Sequence, residues 1–106
     1  MKIHRILFLA AALGTAQLAL AKLPFSNDAF GRIDGTLDFC AQANPEAAQK
    51  YEAGKKAIVQ DVPEQEVAEA RSTKEYQDAY EWVTAEFGKA SKDQAVAACK
   101  AYLDGK

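Results

Sequence analysis

Apolar side chains recur at three- and four-residue intervals along most of the chain, and Phe30, Ile33, Leu37 and Cys40 give the first clear case. Such intervals place residues on one face of an α-helix. Ser26, Asn27 and Asp28 precede that stripe with side-chain oxygens able to cap a helix start. Lys22-Leu23-Pro24-Phe25 reads as an extended lead-in, because proline disfavours helix at the residue before it. The first helix is expected to end near Asn44. Gly31 and Gly35 lie beside its stripe. Each costs about 1 kcal/mol against alanine in a helix, so another backbone is expected to approach closely there.

Asn44-Pro45-Glu46 is a stop and a restart, with asparagine as cap, proline at the first helical position and a carboxylate in the first turn. A second helix is expected over 45–59, with Ala47, Ala48, Tyr51, the stem of Lys55 and Ile58 inward. Glu46–Lys50 and Glu52–Lys56 have the four-residue spacing of helix ion pairs, each adding roughly 0.2–0.5 kcal/mol. Asp61-Val62-Pro63-Glu64 repeats the signal and opens a short helix to about Arg71, with Val67 and Ala70 inward. Ser72-Thr73-Lys74-Glu75 fits a capping box. Tyr76, Tyr80, Val83 and Phe87 then share one stripe, and Gly88 is expected to close that helix in the left-handed cap position. Whether the third and fourth helices are separate or one bent helix stays open. Ser91-Lys92-Asp93-Gln94 is a second capping box, followed by Ala95, Val96, Cys99, Tyr102 and Leu103 on a last stripe that stops at Gly105. No alternating β-branched run, internal repeat or dividing linker interrupts this pattern. The expected fold is all-α, a small bundle of four or five short helices.

Residues 1–21 differ from the rest. A basic start (Lys2, Arg5) leads into an apolar run from Ile6 to Leu20, broken by Gly14, Thr15 and Gln17, and Ala19-Leu20-Ala21 offers the small residues of a signal-peptidase site. About 15 apolar residues fall short of the roughly 20 that cross a bilayer. The segment reads as a cleaved secretory signal, leaving 22–106 as a single helical domain. Lys22 rather than cysteine follows the cleavage point, so no lipid anchor is expected. The product should be periplasmic or secreted, with no membrane insertion after cleavage.

Removing the signal changes the chemistry on offer. The full chain carries a formal charge of −2, and without Lys2 and Arg5 there remain 11 basic against 15 acidic side chains. Residues 22–106 contain neither methionine nor histidine. That closes Ser-His and Cys-His catalysis, histidine metal ligation, and histidine or methionine haem ligation. Ser26, Ser72 and Ser91 fall at helix starts, where capping explains them. No carboxylate pair is singled out by spacing, no Gly-rich phosphate loop occurs, and an acidic chain with scattered Lys and Arg lacks the driving force for nucleic-acid binding. No cofactor, metal or enzymatic activity is expected.

Cys40 and Cys99, the two cysteines, both sit on apolar stripes. In an exported protein such a pair most often forms a bridge, here joining the first helix to the last. Redox chemistry usually uses a Cys-X-X-Cys spacing that this pair lacks, and two buried reduced thiols are the remaining alternative.

The stretch from Asp61 to Glu86 holds eight carboxylates against Arg71 and Lys74. It reads either as a solubilising face or as an acidic docking or pH-responsive surface. Two aromatics, Phe39 and Trp82, do not fit their helix stripes; Trp82 lies between Asp78 and Glu86. They belong either to a second buried face or, if exposed, to a partner contact. In general character the chain is similar to the small periplasmic acid-stress chaperones and to small helical immunity proteins, with no shared motif from which residues could be carried over. The leading expectation is a monomeric, non-enzymatic envelope protein that binds another protein through an acidic, partly aromatic surface (Phe39, Asp78, Trp82, Glu86). The alternatives are an acid-stress periplasmic chaperone and a carrier of a small apolar ligand, in a pocket formed by Phe30, Tyr76, Tyr80 and Phe87.

Overall fold

The structure, a computed structural model, describes residues 23–105; the signal segment at 1–21 lies outside the described residues. Among the described residues there is helix and connecting turn but no strand. Helix α1 spans Asn27–Ala43, a 3-10 turn Pro45–Ala47 leads into α2 (Ala48–Ala57), and α3 (Glu64–Arg71), α4 (Lys74–Gly88) and α5 (Lys92–Leu103) follow. The Cys40–Cys99 disulfide joins α1 to α5.

Helix α1 is the axis of the bundle. Its N-terminal half supplies Phe30 to a cluster with Val67, Ala70 and Tyr76, against which Leu23, Phe25, Ile58, Val59 and Val62 pack. Its C-terminal half supplies Leu37 and Cys40 to a second cluster with Tyr51 and Cys99. The inward residues expected from periodicity are thus buried or half-buried in each helix, apart from Tyr102 on α5, which is exposed.

The two glycines do what their cost implied. A Cβ placed on Gly31 would overlap the main-chain oxygen of Tyr76 and stand 3.1 Å from Ala79 Cβ. One on Gly35 would stand 2.5 Å from Val83 Cγ1 and 3.1 Å from the Tyr80 oxygen. Their absence lets α1 and α4 pack backbone to backbone.

Several local expectations need correction. The lead-in bends at Pro24–Phe25 instead of running straight, because Leu23 and Phe25 fold onto the Phe30 cluster. Asn44 makes no side-chain cap bond; its amide donates instead to the Tyr51 hydroxyl (3.2 Å), which donates to the Cys99 carbonyl (2.8 Å). The fourth helix is separate from the third and capped by Thr73, not Ser72: Thr73 Oγ1 accepts from the Tyr76 N–H, while Ser72 Oγ donates to the Glu69 carbonyl. Gly88 is not a left-handed cap, since Gly105 alone has positive φ among the described residues. The Ser91–Gln94 capping box is present with both bonds. Among the described residues neither Glu46–Lys50 nor Glu52–Lys56 forms an ion pair; Lys55 instead reaches Asp38 at 2.7 Å.

Candidate functional site

The close approach at Gly31 and Gly35 fixes which face of α4 is spent on packing. Tyr76 and Val83 are buried and Tyr80 is half-buried, so the residues on the opposite side of α4 must face outward. Trp82 does, with 59% of its surface exposed. Asp78 and Glu86 stand one helical turn before and after it, on the same outer strip, and both are exposed. Each carries a local counter-ion: Lys74 Nζ donates to Asp78 at 2.6 Å and Lys89 Nζ to Glu86 at 2.8 Å. The hydrogen bond and charge of Asp78 hold the Lys74 ammonium above its usual range. Exposed pairs of this kind contribute roughly 0–1 kcal/mol, so Lys74 and Lys89 hold these carboxylates only weakly.

Phe39, the second aromatic singled out by sequence, is half-buried. Its ring stacks on Phe87 with centroids 5.0 Å apart. Its placement is therefore beside the cystine cluster, where it joins α1 to the C-terminal turn of α4. The aromatics considered as pocket walls are packed on one another: Phe30 is fully buried with its ring 5.2 Å from Tyr76, and Tyr76 stacks on Tyr80 at 6.0 Å.

The inner face of α4 carries a polar arrangement that periodicity did not reveal. Asp34 is fully buried. Its Oδ2 accepts from Arg71 Nε at 2.9 Å and from the Tyr76 hydroxyl at 2.5 Å. One turn along, Asp38 accepts from Lys55 Nζ at 2.7 Å and from the Tyr80 hydroxyl at 2.5 Å. Two carboxylates four apart on α1 thus meet two phenols four apart on α4, and each carboxylate also holds a cation, from α3 or from α2. The Arg71 guanidinium lies over the Phe30 ring, 5.1 Å from its centroid. Burial, reinforced by the hydrogen bond to Asp38, pushes the Tyr80 phenol up to about 12. Burial and Asp34 push Tyr76 up further. Phenols held this far from ionisation do not act as bases near neutral pH. Asp34 Oδ1 has no hydrogen-bond partner.

A signal for this arrangement was present in the sequence. At about 100° per residue, Asp34 falls between Phe30 and Gly31 on α1, inside the arc that must be buried. A carboxylate there needs a cation and a hydrogen-bond donor, and Arg71 and Tyr76 supply them.

Among the described residues, no group of His, Cys, Asp and Glu is arranged to hold a metal ion. No family model, no curated protein and no solved structure matches the chain.

Proposed function

We propose that the protein is a small exported, non-enzymatic binding protein that contacts another protein of the cell envelope through the outer face of α4. Trp82 carries the reading. A tryptophan buries about 150–250 Å² when covered, and among interface residues it is one of the commonest energetic anchors. Here it stands exposed between two carboxylates, on a helix whose other face is locked to α1 by backbone contact. A basic partner fits this surface, since cations can replace Lys74 and Lys89 at Asp78 and Glu86 while an apolar surface covers the indole. Phe39 supports the face from beneath through Phe87 and does not itself reach the partner.

The Cys40–Cys99 bridge supports a periplasmic or secreted location, because cystines persist in oxidising compartments. The basic-apolar segment at 1–21 supplies the export signal in this reading. Among the described residues, no helix is long and apolar enough to cross a membrane. The free protein is a monomer.

Affinity capture from an envelope extract, followed by reconstitution with the purified captured protein, tests the proposal. Trp82→Ala and Glu86→Lys should each weaken the reconstituted complex at least about tenfold, or by roughly 1.4 kcal/mol, with helical content unchanged. A complex indifferent to both substitutions, or no reproducible capture, overturns it.

A second reading, an acid-triggered chaperone, is favoured by one observation: the buried Asp34 carboxylate holds Arg71, and with it α3, against α1. Neutralising the chain's carboxylates in acid leaves the 11 basic side chains of residues 22–106 unbalanced, Arg71 among them, and their mutual repulsion loosens α3 over the Phe30 cluster. Circular dichroism and apolar-dye binding at about pH 2–3 test this. An unchanged compact fold without dye binding overturns it.

A further inference from the structure

We infer that α5 is a latch closed by oxidation: in the reduced chain it lies off the bundle, a disulfide donor takes Cys99 first, and Cys40 then closes the bond and seats the helix. The inference concerns how the fold is completed and does not depend on what Trp82 contacts.

The interface that seats α5 is small. The helix lies against α1, and of its 12 residues Ala95 and Cys99 are buried. Val96 and Leu103 are half-buried and the rest are exposed. Among the described residues, no ion pair joins α5 to another helix, and one hydrogen bond does, from the Tyr51 hydroxyl to the Cys99 carbonyl. So short a helix has little stability of its own, since isolated helices below about 12–15 residues are marginal in water. The other helices do not depend on it. The Phe30 cluster draws nothing from α5, and α1 and α4 meet backbone to backbone at Gly31 and Gly35. The Cys40–Cys99 bond is therefore the principal tie on α5.

The two cysteines are unequal once that tie is open. Cys99 leaves with α5, between Ala98 and Lys100, which are exposed even in the docked helix. Cys40 stays on α1 beside Leu37 and Tyr51. Thiol–disulfide exchange follows access and thiolate fraction, and an adjacent lysine favours the thiolate. The Cys99 thiolate attacks the donor's disulfide, forming a mixed disulfide and releasing one donor sulfur as a thiolate. The Cys40 thiolate then attacks Cys99 Sγ, which closes the cystine and releases the other donor sulfur. A pair of electrons passes to the donor, and the protons given up by the cysteines end on its thiols. In the closed protein both cysteines are fully buried, so a reductant lacks access and the latch stays shut.

The full chain, reduced in denaturant and returned to native buffer, tests this with oxidised glutathione as the donor. Hydrogen exchange of the reduced chain should find α5 unprotected while α1 and α4 keep their protection. Mass spectrometry should show the glutathione adduct forming at least about tenfold faster on Cys99 in the Cys40→Ser variant than on Cys40 in Cys99→Ser. The oxidised chain should resist reduced glutathione in native buffer and lose its bond in denaturant. A protected α5 in the reduced chain, protection lost from α1 and α4 as well, equal adduct rates, or ready reduction of the native oxidised chain overturns the inference.

Discussion

Gly31→Ala separates the packing argument from helix propensity, because the two predict opposite signs. In an exposed helix position the change should stabilise by about 1 kcal/mol. At Gly31 the new Cβ would stand 3.0 Å from the Tyr76 carbonyl carbon and closer still to its oxygen. Those atoms belong to the main chain of α4, so no side-chain rotation relieves the contact and the helices must move apart. Overpacking of this kind costs about 1–3 kcal/mol, and more where the backbone resists. Taking the upper end, about 3 kcal/mol, because the clash is with main chain, and subtracting the propensity gain of about 1 leaves a net loss of about 2 kcal/mol, or about 8–16 °C in melting temperature for a domain of this size. Gly35→Ala should lose less, because its tightest neighbour is the Val83 side chain. Gly54→Ala is the control: its Cβ would meet Leu37 Cδ2 at 3.6 Å, an ordinary contact, so it should be neutral or stabilising by up to about 1 kcal/mol. Urea unfolding with thermal melts of the three variants measures this order. A Gly31→Ala variant as stable as Gly54→Ala would refute backbone-to-backbone packing of α1 on α4.

Removing the cystine by Cys40→Ala/Cys99→Ala should cost about 4 kcal/mol on the chain-entropy account of a loop this long. Because Ala95 and Cys99 are the buried residues of α5, hydrogen exchange should show protection lost first over 92–103; uniform loss along the chain would count against that. Asp34→Ala should destabilise by about 3 kcal/mol, the lower end for one-sided removal of a buried ion pair, since Arg71 keeps some access to water. A measured loss below about 1 kcal/mol would mean that the carboxylate does not hold α3. The tyrosines give a prediction in alkali: raised folded-state pKa values favour the neutral phenol in the native state, so their contribution is complete below about pH 10 and is lost as pH rises toward about 12, where Tyr80 ionises. Melting temperature should fall across that window and fall less in Tyr76→Phe/Tyr80→Phe; equal falls would remove the assignment.

The parts of the fold that were legible in sequence are those fixed by one residue's chemistry against its near neighbours. The three- and four-residue stripes place Phe30, Leu37, Tyr51, Val67, Tyr76, Val83 and Cys99 inward without reference to anything distant. Gly31 and Gly35 announce a close neighbour because their cost needs a compensating contact. Helix ends were less legible where two groups compete for one bond. Asn44 could cap a helix or satisfy a buried phenol, and the Tyr51 hydroxyl, itself committed to the Cys99 carbonyl 48 residues away, decides the competition. Ser72 and Thr73 are both able caps, and the choice follows from which residue leaves α3 with its carbonyls bonded.

The Asp34 arrangement was hidden for a different reason, and that reason bears on function. A hydropathy stripe scores Asp34 as a break in the apolar face, whereas the structure fills the break with Arg71 and Tyr76 from two other helices. The same substitution of a partner for burial works in reverse on the outside of the molecule. Trp82 is an apolar residue left in water. Inside the bundle, Asp34 Oδ2 and the Asp38 carboxylate are matched from within the chain, while Asp34 Oδ1 is left without a partner. On the proposed reading, the exposed indole of Trp82 is where the matching group comes from another molecule. On that reading the indole of Trp82 should become the most strongly protected surface group when a partner binds, while the Asp28–Arg32 pair should be indifferent to it.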